Sequence, residues 1–323
     1  MFGRSKVALL ALAAAGSLML AACGSSSTSA ADSAAGANKA HPDWPSTITI
    51  GAIPAENATA LQASLDPIEK LLKMKLGVDV KTFSGTSYSA LIEAQKAGKV
   101  DLVEYGPLSY YIAQHTGVGV KNVGIMTQSA TDNGNYHSIG WANAKQTDVK
   151  SLADFKGKKT CFVDPASTSG YLFPSYGLLS AGLNPKTDVD PVFAGAHDAS
   201  IESIAKGTCE VGFSEDIIAP QLEKQGKLKA SDVRQVWQSP EIPGSPWAVS
   251  TKLPQDLQDQ IEKVLDTDGN ADQMAKLGIC SSATSCQTAL GFWGFKDPSV
   301  ADFSVIDKVC AATKSTSCTN ADG

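Results

Sequence analysis

Histidine is scarce in this chain. His41, His115, His137 and His197 are the whole supply among 323 residues, and no two stand at a metal-ligating spacing. Calcium has no loop either. Asp266-Thr267-Asp268-Gly269-Asn270 opens like an EF-hand, but Ala271 and Leu277 sit where that loop needs glycine and glutamate. It reads as a polar turn, and nothing in these patterns asks for a metal or another cofactor. Positive charge is also short. Against 33 Asp and Glu stand 27 Lys and Arg, a net charge of −6 with no basic stripe, which argues against a nucleic-acid partner. Beyond the first twenty or so residues, no apolar run approaches the length of a membrane-spanning helix.

What is present begins with an address. Arg4 and Lys6 precede an apolar core from Val7 to Leu20, and Leu20-Ala21-Ala22-Cys23-Gly24 follows. A positive start, a short apolar stretch and small residues before a cut mark residues 1–22 as an export signal. The cysteine just past the cut resembles a bacterial lipobox. That implies a lipid-modified Cys23 on the extracytoplasmic face of the cell membrane. Residues 23–43 are rich in Ser, Ala and Gly and read as a flexible tether. Folding is expected from about Trp44, and the length that remains suits two domains.

With Cys23 assigned to lipid, six of the seven cysteines remain: Cys161, Cys209, Cys280, Cys286, Cys310 and Cys318. An even number in an exported chain points to disulfides, though six cysteines permit many pairings. Cys161–Cys209 is favoured, because Lys158-Lys159-Thr160-Cys161 and Lys206-Gly207-Thr208-Cys209 both enter strand-like runs from Lys/Gly turns. Cys280–Cys286 and Cys310–Cys318 would then close short local loops. The spacings do not fit a zinc ribbon.

Apolar runs and helical patterns alternate along the chain. Strands are expected at 46–53, 79–83, 102–105 and 120–126, with helices at 60–76, 87–97 and 107–114 between them. A second set starts at Tyr136, with strands at 159–163, 189–193, 211–213 and 233–237 and a short surface helix at 151–158. A strand at 247–250 and mostly helical or loop sequence follow. Such alternation predicts an α/β fold with largely parallel sheets. The simplest arrangement is two α/β lobes, 44–137 plus 246–323 and an inserted 138–245. The chain would cross between them near Tyr136–Ile139 and Pro243–Trp247. Ligands of such sheets bind at the carboxyl ends of strands, here in the cleft between lobes.

The most informative stretch is Val163-Asp164-Pro165-Ala166-Ser167-Thr168-Ser169-Gly170-Tyr171. It lies between a buried strand and a helical segment. Hydroxyls and first-turn N–H groups at such a junction can converge on one anion, here a small phosphorus oxyanion. A plain Ser/Thr helix cap is the alternative for an isolated motif of this kind. Pro174, which favours a helix's first turn, suggests that the regular helix starts near Phe173.

Other blocks extend the reading. Tyr88-Ser89-Ala90-Leu91-Ile92, Val100-Asp101-Leu102-Val103-Glu104-Tyr105-Gly106-Pro107 and the stretch from Asp164 to Pro174 occur in order. Ala194-Gly195-Ala196-His197 and Trp237-Gln238-Ser239-Pro240-Glu241-Ile242-Pro243 follow. Over about Ile48 to Leu253 the chain resembles the phosphate/phosphite/phosphonate-binding proteins of ABC transporters. The resemblance implies a type II periplasmic-binding-protein fold, two α/β lobes joined by hinge strands, which closes on its ligand.

By the same resemblance, Ser167, Thr168 and Ser169 would hold the oxyanion, with Tyr88 and Tyr105 reaching it from the other lobe. His197 would add a hydrogen bond, with its pKa raised beside a dianion. Asp216 is the best match to the family's acidic position, ahead of Glu215 and Asp198. Such a carboxylate accepts a hydrogen bond from a P–OH or a ligand ammonium. Apolar walls at Trp141, Trp247 or Phe213 would discriminate among phosphate, phosphite, hypophosphite and phosphonates. The implied partner is an ABC permease, served by a monomer that performs no chemistry.

Two rivals remain. A same-fold protein could take another anion, such as a sulfonate. A serine hydrolase would use Ser167 or Ser169 with His197 and Asp216, but no Gly-x-Ser-x-Gly elbow surrounds either serine.

Overall fold

A computed structural model describes residues 40–319. The export segment, Cys23 and most of the tether lie outside them. The chain runs β1 (Thr47–Ala52), α1 (Ala58–Leu76), β2 (Asp79–Ser84), α2 (Tyr88–Lys96), β3 (Leu102–Glu104), α3 (Pro107–His115) and β4 (Val120–Thr127). It then forms β5 (Ser138–Asn143), β6 (Lys159–Phe162), α4 (Phe173–Ser180), β7 (Asp190–Phe193), α5 (His197–Lys206), β8 (Val211–Glu215), α6 (Ile218–Lys224) and β9 (Val233–Gln238). Last come β10 (Pro246–Ser250), α7 (Gln255–Asp268), α8 (Ala271–Lys276), α9 (Ala283–Leu290), β11 (Gly294–Lys296) and α10 (Ser304–Thr313).

Local chemistry sets these elements. In α1, Leu65, Ile68, Leu71, Leu72 and Leu76 recur at helical spacing and are all buried. Asn57 caps the start of α1 and Gly77, with φ 68°, ends it. The expected surface helix at 151–158 shrinks to a 3-10 turn at Leu152–Phe155, held by a Ser151/Asp154 capping box. The polar turn expected at 266–270 is divided between two helices, because α7 continues to Asp268 and Asn270 caps α8.

Two sheets result. One has the order β11-β4-β10-β3-β1-β2 and the other β7-β6-β8-β5-β9. They are mixed rather than largely parallel. β1 pairs in parallel with β2 and β3, and β6 with β7 and β8, but β10 runs antiparallel to β3 and β4. β5 likewise runs antiparallel to β8 and β9. β5 and β10 are the strands that follow the two passages between sheets. A strand arriving from the other sheet enters at the end where its neighbours finish, so its direction is reversed.

The two passages are bonded together. The Tyr136 N–H donates to the Ile242 carbonyl at 3.0 Å and the Ile242 N–H donates back at 2.8 Å. Each sheet is covered on both faces by buried apolar residues. The cysteines pair as Cys161–Cys209, Cys280–Cys286 and Cys310–Cys318, the first tying β6 to the approach to β8. Near the C-terminal end of the described residues, α10 packs on both α3 and α4, with Phe303 against Tyr110. No described helix is long and apolar enough to cross a membrane.

Candidate functional site

A cavity of about 230 Å³ opens where strand ends from the two sheets meet. Ile53, Glu104 and Met126 follow or end β1, β3 and β4, while Glu215 and Ile217 lie at and just after the end of β8. This is the carboxyl-end geometry that α/β sheets use for ligands. Leu61 and Phe292 add apolar wall, and Glu56 adds a third carboxyl.

The hydroxyl turn does not line this cavity; Tyr136, whose hydroxyl lies against Thr168 and Ser169, lines a smaller one of about 100 Å³ together with Glu215 and Asp216. Ser167 has extended backbone, and its Oγ accepts the Gly170 N–H at 3.0 Å. A wide π-type turn follows at Thr168–Leu172, and α4 starts at Phe173 with Pro174 in its first turn. The N–H groups of Thr168 and Ser169, at the head of this turn, have no intrahelical carbonyl to reach. Position 170 requires glycine, since a Cβ there would lie 2.3 Å from the Val163 Cβ. Thr168 Oγ1 accepts the Leu108 N–H from α3 at 2.8 Å, and Ser138 Oγ donates to the Ser169 carbonyl at 2.6 Å. Because the Ser167 and Thr168 oxygens already accept an N–H, each keeps its own O–H to donate.

Tyr88 opens α2, where the Ser87 side chain accepts the Ala90 N–H at 3.1 Å. The tyrosine is 1% exposed, and its hydroxyl lies near Ser167 without a hydrogen bond of normal geometry. Burial, reinforced by Asp164, holds this phenol well above its ordinary pKa, so it stays a neutral donor. A buried hydroxyl with no partner is uncommon in folded proteins. Tyr136 approaches from the chain passage, with its hydroxyl against those of Thr168 and Ser169. Burial, Glu215 and Asp216 raise it.

His197 starts α5 and is 2% exposed. Its Nδ1 accepts the Glu215 N–H at 3.0 Å, which leaves Nε2 to carry the proton. Burial pulls its pKa down to about 4, against the weaker pull of Asp198. Burial thus holds the imidazole neutral by itself, and the rise expected beside a dianion is an effect that bound charge would add.

The carboxyls move the other way. Loss of solvation pushes Glu104 up to about 8, helped by Glu56. Glu215 also rises to about 8, through burial first and then Asp216, Glu104 and Glu56. Asp216 is raised by burial, although its Oδ2 accepts the His137 N–H at 2.9 Å; its Oδ1 is buried with no partner.

Several expected residues face elsewhere. The Tyr105 hydroxyl donates to Gln95 Oε1 at 2.8 Å inside the first sheet's core. Side chains alternate along a strand, and on β3 it is Glu104 that reaches the cleft. Asp198 binds Asn57. Trp247 is packed edge-on against Phe295, Phe213 lies in the second sheet's core, and the Trp141 indole donates to Ser214 Oγ at 2.9 Å. None of these three lines the cavity, whose apolar walls include Ile53, Leu61, Met126, Ile217 and Phe292. Sequence reasoning passed over Tyr136, Glu104 and Glu56. The alternation through Val103-Glu104-Tyr105 was the available signal for Glu104.

Two mixed α/β sheets, twice connected and with a cavity where their strand ends meet, define the type II periplasmic-binding-protein fold. Solved structures agree. PhnD1 from Prochlorococcus marinus in complex with methylphosphonate matches at TM-score 0.70 and 21% identity, over 84% of this chain and 99% of that one. The family model for the ABC transporter phosphonate periplasmic substrate-binding protein matches residues 50–299. The phosphate-import protein PhnD of Mycolicibacterium smegmatis is 35% identical over 283 residues, 85% of this chain and 88% of that protein. The phosphonates-binding periplasmic protein of Escherichia coli is 26% identical over 218 residues, 66% of this chain and 64% of that protein. The chain belongs to this family of extracytoplasmic substrate-binding components of ABC importers.

Proposed function

We propose that the chain captures phosphate, phosphite or a phosphonate in the cleft between its sheets and delivers it to an ABC permease. The observation that carries this reading is the convergence of neutral donors with carboxyls whose pKa burial raises. Ser167, Thr168, Tyr88 and the Nε2–H of His197 offer donors, and Glu215 lies close to Tyr88, Tyr136 and His197, with Asp216 beside Tyr136. A phosphorus oxyanion needs many donors, and its P–OH needs an acceptor. A fully ionised sulfonate has no proton to offer. Affinity then comes from charge-assisted hydrogen bonds in a cleft that excludes water. Tyr105 takes no direct part in this reading, and Tyr136 and Glu104 take its place.

The relatives support the ligand class, since one is named for phosphate import, another for phosphonates, and a third is bound to methylphosphonate. The protein acts as a monomer held to the membrane through lipid on Cys23. Tagged fatty acid supplied to cells should label the wild type and spare Cys23→Ser. The deciding experiment is a thermal-shift panel of phosphate, phosphite, hypophosphite, methylphosphonate, aminoethylphosphonate, sulfate and taurine. A phosphorus compound should raise the melting temperature in proportion to the logarithm of its concentration over Kd. Stabilisation by sulfate or taurine alone would overturn the assignment.

A further inference from the structure

Asn57, at the head of α1, and Asp198, in the first turn of α5, bind each other across the cleft. Asp198 Oδ2 accepts the Asn57 backbone N–H and its Nδ2–H, each at 3.0 Å. Beside them the His197 N–H donates to the Ala55 carbonyl at 2.8 Å. The amide of Asn57 has a fixed direction, because its Oδ1 accepts the Ala60 N–H at 3.2 Å as the cap of α1. Asp198 is 7% exposed, and the carboxyl of Glu56 is raised by burial first and then by Asp198 nearby. Bringing the two lobes together therefore sets two acids close to each other, and the Asn57 donors offset that repulsion. Neither Asn57 nor Asp198 lines the cavity.

We propose that Asn57 and Asp198 form an interlobe latch that holds the closed state without touching the guest. The proposal rests on the reading of the chain as a binding protein, and makes the pair positioning residues. The latch shares the first turn of α5 with His197, a donor of the proposed site. It should govern how long any ligand stays, and leave the choice among ligands alone.

Asn57→Asp tests this, since it keeps a capping oxygen for α1 but sets a carboxylate against Asp198 and Glu56. With inorganic phosphate and with methylphosphonate, the Kd should rise by the same factor, about tenfold or more. The dissociation rate in stopped flow should rise in parallel, with the melting temperature of the unliganded protein unchanged. Adding Asp198→Asn restores a donor and an acceptor with reversed polarity, and should recover most of the loss.

Unchanged affinity in Asn57→Asp, a loss for one ligand only, or no recovery in the double variant would each overturn the latch. Should Asn57→Asp fail to fold, Asp198→Ala leaves the cap intact and should show the same uniform loss. If neither probe binds the wild type, these two compounds are not its ligands, and the thermal-shift panel decides the binding reading separately. Small-angle scattering then decides the latch. A larger radius of gyration in Asn57→Asp than in the wild type and the double variant supports it, and equal radii overturn it.

Discussion

Glu104 and Glu215 stand at the ends of β3 and β8, in opposite sheets, and line one cavity. Both are pushed up to about 8 by loss of solvation, and the Glu104 charge adds to the rise of Glu215. At neutral pH the cleft therefore holds protons on carboxyls from both sides. Such a group can donate to a phosphorus oxygen or, once ionised, accept from a P–OH.

Folding stability should carry the mark of these carboxyls. The unfolded chain returns them to about 4.5, so between about 4.5 and 8 the folded protein holds protons that the unfolded chain releases. Stability then falls as pH rises through that window. Glu104→Gln removes part of this loss. Its melting temperature should match the wild type near pH 4.5 and exceed it at pH 8, by about 2–4 °C. Calorimetric scans of both proteins across the window test the divergence.

His197 has the opposite sign. Its pKa falls from 6.5 to about 4 in the folded protein, so below pH 6.5 the unfolded chain takes up a proton that the native imidazole refuses. Stability is lost as pH drops from 6.5 towards 4. His197→Asn can still accept the Glu215 N–H and should show a shallower acid limb. An imidazole NMR titration with a midpoint near 6.5 in the native state would contradict the assignment.

The two tyrosines separate binding from packing. Tyr88→Phe removes a hydroxyl with no protein partner, so it should leave stability nearly unchanged and weaken phosphate or methylphosphonate binding by about tenfold. Tyr105→Phe orphans Gln95 Oε1 in the core and should cost about 1–3 kcal/mol of stability with little change in Kd. Calorimetric titration and urea unfolding of both variants check the contrast.

At the hydroxyl turn, Ser167→Ala loses a cap as well as a donor. It should cost about 1 kcal/mol of stability, and combined with Thr168→Val should weaken binding more than about tenfold. Gly170→Ala forces a methyl against Val163 and should destabilise by about 1–3 kcal/mol while abolishing binding. Wild-type calorimetry from the double variant would remove this turn from the site.

Replacing Cys161 and Cys209 by Ala together should cost about 2–4 kcal/mol, because their bridge closes a long loop between β6 and β8. Denaturant midpoints with unchanged slope would show the loss. An unchanged midpoint would mean that the bridge contributes nothing to folding.

The fold was legible where residues act through period and punctuation. The apolar stripe of α1, the Ser87 cap, the strand of Ile48 and Ile50, and the glycine of the hydroxyl turn all state their local geometry. The direction of β5 and β10 is not local. It depends on which end of a sheet the chain enters after crossing, and no periodicity records that. The site divides the same way. Ser167, Thr168 and Ser169 stand together in sequence, whereas Glu104, Tyr136 and Glu215 meet only in space. The family resemblance assigns Tyr105 to the site, yet the pleat turns it towards Gln95 and leaves the cleft to Glu104. Bulky Trp247 and Phe213 looked like walls and are instead packed inside the two cores.

Tyr136 and Ile242 exchange hydrogen bonds where the polypeptide passes from one half to the other, and the Tyr136 hydroxyl lies against the Ser/Thr turn. On the function proposed above, the paired segments would twist as one ribbon when the halves close. A guest held beside that axis would travel little, while the outer rims would sweep through a much longer arc. A molecule of a few atoms at the pivot would then become a change of outline broad enough for the permease to read from outside.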